Sequence, residues 1–160
     1  TFAKSLAPGL RISYLVLPPQ LVAAYTQRMA FYSTTVPALE QYVLARFLQG
    51  GYFARHLGRM KRFYRARRDE ILAAIGQSPL ARRAEVLEAD AGLHLLLRLK
   101  TDRTDDELQQ SAAERGIRLQ FLSAYCHRPQ PENAHCILLN YSGVEPVQLP
   151  WALEQLAAFC

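Results

Sequence analysis

No stretch of this 160-residue chain approaches the roughly 18–20 consecutive apolar residues that a membrane-crossing helix needs, which excludes such a helix. A basic start leading into an apolar core and a small-residue cleavage site is also missing, so no secretory leader is legible. There are three cysteines, an odd number without the spacing of a disulfide framework, and the simplest setting for them is reducing and cytoplasmic. Internal repeats and low-complexity stretches are lacking. An initiator methionine is lacking too. The chain opens at Thr1 directly into an apolar segment punctuated by proline and glycine, the expected appearance of a piece whose preceding part would complete the site described below.

What is present is an ordinary globular balance, with half the residues apolar and 21% charged. The formal charge of +5 is unevenly placed. Seven of the nineteen lysines and arginines fall between Arg55 and Arg68, and a local cluster can steer an anionic partner where a diffuse excess cannot.

The apolar run at 12–17 (ISYLVL), stopped by Pro18 and Pro19, predicts a short buried strand, preceded by a turn-rich loop over 5–11 that holds Pro8 and Gly9. Helices are expected over 19–32, with proline in the first turn, and over 36–48, capped by Ser33, Thr34 or Thr35 and ended by Gly50 and Gly51. The longest helix is expected over 52–75. Phe53, Leu57, Met60, Tyr64, Ile71, Leu72 and Ile75 form one stripe at three- and four-residue steps, with Gly76, Ser78 and Pro79 as its stop. A second region follows, with strands over 83–87 and 93–99 joined by a turn over 89–92. It continues with a helix over 105–115 closed by Gly116, a strand over 117–121, a polar loop over 125–134, a strand over 136–141 and a helix over 150–159. Strands interleaved with helices predict an α/β or α+β arrangement. We expect two parts, residues 1–78 and 79–160.

Chemistry is concentrated at the start, TFAKSLAPGLRISY. A lysine at the edge of an apolar loop would be partly desolvated, which favours the neutral, nucleophilic amine, and a neutral amine condenses with an aldehyde. Seven residues after Lys4, Arg11 offers a planar fork suited to a phosphate, and Thr1 adds a hydroxyl. An amine together with an arginine–hydroxyl clamp is what pyridoxal phosphate requires of a protein. Read from spacing alone, Lys4 and Arg11 fit two solvent-facing charges beside a buried strand better than a cofactor site, since a lone lysine and arginine are weak evidence.

The segment TFAKSLAPGLRISYLVLP resembles the lysine segment of fold-type-I pyridoxal-phosphate enzymes, and within them the MocR branch of the GntR transcription regulators. That branch joins an N-terminal winged helix-turn-helix to an aminotransferase-like domain. GGYFARHLGRMKRFYRARRDEIL resembles the branch's helix in which a His-x-x-Arg-Met-Arg-type run precedes tyrosine and paired arginines, and AGLHLLLRL also fits. The resemblance implies the C-terminal part of a fold-type-I pyridoxal-phosphate-dependent transferase-like domain. It would contain the lysine loop, a strand and helices of the large domain, then an α+β small subdomain. Lys4 would be the Schiff-base lysine, and Arg11 and Thr1 would hold the cofactor phosphate. The pattern also implies a homodimer, and DNA bound through the winged helix-turn-helix outside this chain.

Two positions depart from the family's pattern. Ser13 stands where glycine is usual. Leu138, in CILLNYS, stands at the place of the arginine that pairs with the substrate carboxylate in aminotransferases, and no arginine lies between Cys136 and Ser142. That loss favours an effector domain of a transcription regulator over the rival reading, a working aminotransferase with Lys4 as its catalytic residue. The cationic side chains Arg55, Arg59, Lys61, Arg62 and Arg65 are candidates for contacts to DNA backbone, or else a solvated helix face. The pairs Cys126-His127 and His135-Cys136 lack zinc-ligand spacing, so no metal is expected. His94, inside an apolar strand, reads as a packed or edge residue. Cys160 would be reactive if exposed.

Overall fold

A computed structural model describes residues 1–160 except Thr34, Glu88, Asp90, Ala91 and Pro129. Among the described residues the α-helices are α1 (Pro19–Arg28), α2 (Ala38–Gln49), α3 (Tyr52–Gln77), α4 (Asp105–Ala113) and α5 (Leu149–Phe159). Among the described residues the strands β1 (Ala84–Leu87), β2 (His94–Leu99) and β3 (Cys136–Asn140) form one antiparallel sheet in the order β1-β2-β3. The chain divides into two units, Thr1–Met60 and Lys61–Cys160, with the division inside α3.

In the second unit the alternation of β2 decides the architecture. Leu95, Leu97 and Leu99 are buried while the residues between them are not, so one face of the sheet carries the core. Leu97 sits at the centre of the sheet, opposite Val86 on β1 and Ile137 on β3. The apolar stripe of α3 supplies Ile71 and Ile75 to this core, with Tyr64 and Leu72 packed against it. Leu108 and Ala112 come from α4, and Leu149, Leu153, Leu156, Ala157 and Phe159 from α5. Gly76 does not stop α3, contrary to expectation; the helix continues to Gln77. A mid-helix glycine costs only about 1 kcal/mol, less than the burial of the neighbouring Ile75 contributes. The stop comes at Ser78, whose hydroxyl donates to Ile75 O at 2.8 Å, and at Pro79, which opens a 3₁₀ turn.

α4 begins with a capping box. The Thr104 backbone N–H and hydroxyl donate to Glu107 Oε2 at 2.8 and 3.0 Å, and the Glu107 N–H donates to Thr104 Oγ1 at 3.3 Å. These bonds hold the Glu107 carboxyl below its ordinary value, the one from the Thr104 backbone first and the one from its side chain second. A depressed carboxyl pKa contributes stability that is present above the unfolded value and is lost as pH falls through the folded one. Loss of the N-cap in Thr104→Ala is expected to cost about 1 kcal/mol at neutral pH. Denaturant titrations should show the gap from wild type narrowing in acid. Gly116, at φ 73°, then closes the helix as expected.

The C-terminal end of α5 has no basic residue of its own in its last turn. Arg83 Nη1 donates to Ala157 O at 2.9 Å and to Cys160 O at 2.7 Å, and Arg103 Nη1 donates to Phe159 O at 2.9 Å. The Arg115 guanidinium lies 5.1 Å from the Phe159 ring centroid. Cations at these carbonyls complement the negative end of the helix dipole. Burial raises the thiol of the neighbouring Cys160 to about 11, with Arg83 and Arg103 pulling in the opposite direction. It therefore stays protonated at neutral pH, and the reactive thiol considered from sequence is not found.

Several further expectations are corrected. Residues 12–17 pair with no strand among the described residues. Ile12 is buried, yet Tyr14, Leu15 and Val16 are 70%, 70% and 80% exposed, so the apolar run is extended chain without a ladder. A strand exists only by its neighbour's hydrogen bonds, and the sequence pattern cannot show whether that neighbour lies in the same chain. Residues 117–121 form no strand either, only a single bridge, Phe121 to Ile137, before the backbone tightens into a 3₁₀ helix, Leu122–Tyr125. α1 stops at Arg28, short of residue 32. α2 starts after Pro37 with no side-chain cap, so neither Ser33 nor Thr35 plays the expected part, and Thr34 lies outside the described residues. The turn expected over 89–92 falls largely outside them as well. His94 is exposed at the start of β2, opposite Asn140. The loop before β3 is tied down by Asp105, which accepts from the Ser123 hydroxyl and, at 2.9 Å, from the backbone N–H of His135, itself at φ 58°.

Candidate functional site

The lysine loop is a closed structure of its own. The Phe2 N–H donates to Ile12 O at 2.9 Å, and the Thr1 hydroxyl reaches the same oxygen at 3.4 Å. Inside the loop, Ser5 N and Leu6 N both donate to Phe2 O, at 3.2 and 2.8 Å, and Leu10 N donates to Ala7 O at 3.0 Å. The first turn carries Lys4, and the second holds Pro8 and Gly9. The loop's closure brings Thr1 to the residue that follows Arg11. Thr1 and Arg11, named from sequence, thus stand at one end of the loop, and Lys4 is on its first turn.

Two contacts fasten the loop to the start of α3. The Phe2 ring meets Phe53 edge-on, with centroids 5.7 Å apart, and also packs against Tyr14 at 5.7 Å. His56 Nε2 lies 2.9 Å from Ser5 O, and because a carbonyl can only accept, the ring nitrogen is the donor. The sequence pattern assigns His56 to the basic helix and gives no sign of this bond; nothing local signals a contact across 51 positions.

Lys4 itself is exposed, so the partial desolvation expected of its amine is not found in this chain. A turn at the surface leaves water around its outermost residue, whatever the polarity of its neighbours in sequence. Arg11 and Thr1 are also exposed. Among the described residues neither Lys4 nor Arg11 has a side-chain hydrogen bond or ion pair, so both are available to a ligand.

The seven-residue basic cluster separates into two kinds. Arg67 donates to Val144 O at 2.9 Å and pairs with Glu70, while Arg68 pairs with Asp69, so these two serve the fold. Arg55 lies 4.7 Å over the Tyr52 ring. Arg59, Lys61, Arg62 and Arg65 are exposed and have no partner among the described residues. Leu138 sits on β3 opposite Leu96, its N–H donating to Gln120 O at 2.8 Å.

A family model described as aminotransferase class I and II matches residues 1–149. The chain belongs to the class I and II aminotransferase family. This family is pyridoxal-phosphate-dependent. Over 157 residues, 98% of its length, this family member is 36% identical to the probable rhizopine catabolism regulatory protein MocR of Rhizobium meliloti. It is 33% identical over 156 residues, again 98% of its length, to the HTH-type transcriptional regulator YhdI of Bacillus subtilis. It spans about a third of each of these relatives, 31% and 33%. An aromatic-amino-acid aminotransferase of Thermococcus litoralis is 29% identical over 75 residues, covering 47% of this chain and 18% of that enzyme. Among solved structures, the kynurenine aminotransferase of Pyrococcus horikoshii superposes with a TM-score of 0.81 at 24% identity, over 99% of this chain and 38% of that one. The fold is thus that of part of a fold-type-I aminotransferase domain.

The donor set of the lysine loop fits the family's cofactor. A lysine amine, a hydroxyl and a guanidinium lie on one closed loop, and the two charged side chains have no competing partner among the described residues. No helix among the described residues is long and apolar enough to cross a membrane.

Proposed function

We propose that this chain is the C-terminal part of the effector domain of a GntR/MocR-type transcription regulator, sensing pyridoxal phosphate or its amino-acid adduct. The observation that carries the proposal is sequence likeness along 98% of the chain to an HTH-type transcriptional regulator, against sequence likeness along 47% to an aminotransferase. Leu138 supports it, since an apolar side chain offers no bidentate clamp to a carboxylate. The cofactor supplies an aldehyde that an amine can capture and a phosphate that needs cationic and hydroxyl donors.

Lys4 provides the amine, which must be neutral to attack. Arg11 and Thr1 orient the phosphate, Arg11 through paired N–H donors and Thr1 through its hydroxyl. Residues 1–78 would be the end of the cofactor-binding part and 79–160 the small subdomain. Occupancy of the loop acts on DNA binding through different affinities for two conformations of the whole protein. The working form is a cytoplasmic homodimer that reads its operator through an N-terminal winged helix-turn-helix. Arg55, Arg59, Lys61, Arg62 and Arg65 add backbone contacts without base readout.

The test uses the full-length protein. Pyridoxal phosphate is added, the linkage is trapped with borohydride and the modified lysine is mapped; Lys4 should carry the label. Operator binding should change with the cofactor, and amino acids should yield no keto acid. Rapid keto-acid release would make the protein an aminotransferase instead. Replacing Arg62 and Arg65 together by alanine should weaken operator and random DNA alike. It should also reduce the slope of log affinity against log salt by about 1 for each phosphate that is no longer neutralised. An unchanged slope would reduce this helix face to a solvated surface.

A further inference from the structure

His56 is the one side chain of α3 that reaches the lysine loop by a hydrogen bond among the described residues, and neither the sequence pattern nor the proposed function uses it. Its acceptor is the carbonyl of Ser5, the residue next to Lys4. The loop's other ties are either internal, as in the Phe2 to Ile12 closure, or apolar, as in the Phe2 and Phe53 contact. Apolar packing limits the distance between loop and helix but leaves rotation free, whereas a directional N–H to carbonyl bond fixes the orientation of one peptide plane. The plane fixed here is that of the Ser5–Leu6 peptide, on the turn whose Ser5 and Leu6 N–H groups converge on Phe2 O. Orienting that plane limits the directions in which Lys4, one residue earlier, can project. Half-buried, the bond is also partly shielded from competition by water.

We propose that His56 is the positioning residue of the lysine loop, holding the turn in the orientation from which Lys4 captures the cofactor aldehyde. This role rests on the assignment of Lys4 made above. In the covalent step the Lys4 nitrogen lone pair forms a bond to the aldehyde carbon, and the aldehyde oxygen departs as water with two protons from the amine. His56 touches none of these atoms, and it acts by limiting the conformations among which the amine is divided.

The experiment compares full-length wild type, His56→Ala and His56→Gln, the last retaining an N–H donor on a side chain of similar reach. Pyridoxal phosphate affinity is read from the absorbance of the lysine linkage, and the pH at which that band is half-developed is read on the same samples. Amide exchange at Leu6 and Leu10 in the cofactor-free proteins supplies a reading independent of the cofactor. The expected result is roughly threefold to tenfold weaker retention in His56→Ala, with a displaced pH midpoint and faster loop exchange, and near-complete recovery of all three in His56→Gln. Borohydride labelling separates the possible failures. Label on Lys4 in all three proteins at equal affinity overturns the role of His56 alone. Label elsewhere in the wild type overturns the cofactor assignment and this role together. Equal losses in the alanine and glutamine variants would show that the ring's bulk matters rather than its donor, and would likewise overturn the proposal.

Discussion

Leu97→Ala should destabilise the second unit by about 2–5 kcal/mol, the range for deleting a large aliphatic side chain from a closed core. Leu97 is fully buried at the middle of the central strand, with Val86 and Ile137 as its lateral neighbours. The core it belongs to is filled from α3, α4 and α5 as well as from the sheet, so the space it leaves cannot close by moving one element. Such a cost is comparable to much of the stability of a small domain. Amide exchange of β2 in the full-length protein reads the effect locally, without assuming that the whole molecule unfolds in one step. A change below about 1 kcal/mol would mean that the site collapses freely, and the rigid core described for this unit would then need revision.

Lys4→Ala and Lys4→Arg should both abolish the borohydride-trapped label completely while leaving the fold intact. Arginine preserves the positive charge but stays protonated, so it cannot serve as the nucleophile. If attraction to the phosphate were all that Lys4 contributed, Lys4→Arg would retain the cofactor almost normally. Lys4 is exposed and has no partner among the described residues, so both variants should unfold within about 0.5 kcal/mol of wild type. Mass spectrometry after reduction, beside a denaturation curve, separates lost chemistry from lost structure. Persistent label at another lysine in Lys4→Ala would remove Lys4 from its assigned role.

Those two residues also mark what the sequence could and could not tell. The strand that carries Leu97 was expected from sequence, and the three- and four-residue steps placed Ile71 and Ile75 on the apolar stripe of α3, where both are buried; the burial of Leu97 is visible only in the structure. Lys4, Arg11 and Thr1 stood out in the sequence as residue types in a familiar order, whereas the closure of their loop at Phe2 and Ile12 is visible only in the structure. The environment of Lys4 was not legible, because exposure depends on what else surrounds the turn. Residues 12–17 show the same limit, since a run of β-forming residues announces a preference for pairing and says nothing about where the partner lies. At 117–121 a strand was expected; Leu119 and Phe121 are buried, but regular pairing is cut short by the 3₁₀ helix that follows. The bond from His56 to Ser5 and the arginines at the end of α5 join residues more than fifty positions apart, and no local pattern encodes them.

Those arginines have a consequence for how the second unit forms. The carbonyls of Ala157 and Cys160 are held from 74 and 77 positions earlier in the chain, and that of Phe159 from 56. Helix α5 therefore cannot acquire its finished end until the segment before β1 and the turn before α4 have already come together. Long-range closure of this kind is paid in chain entropy before it is rewarded, which slows the approach to the native state. A chain in which that end has not yet formed would hold the three-stranded sheet with part of its apolar face still uncovered, the condition in which a folding intermediate most needs a chaperone.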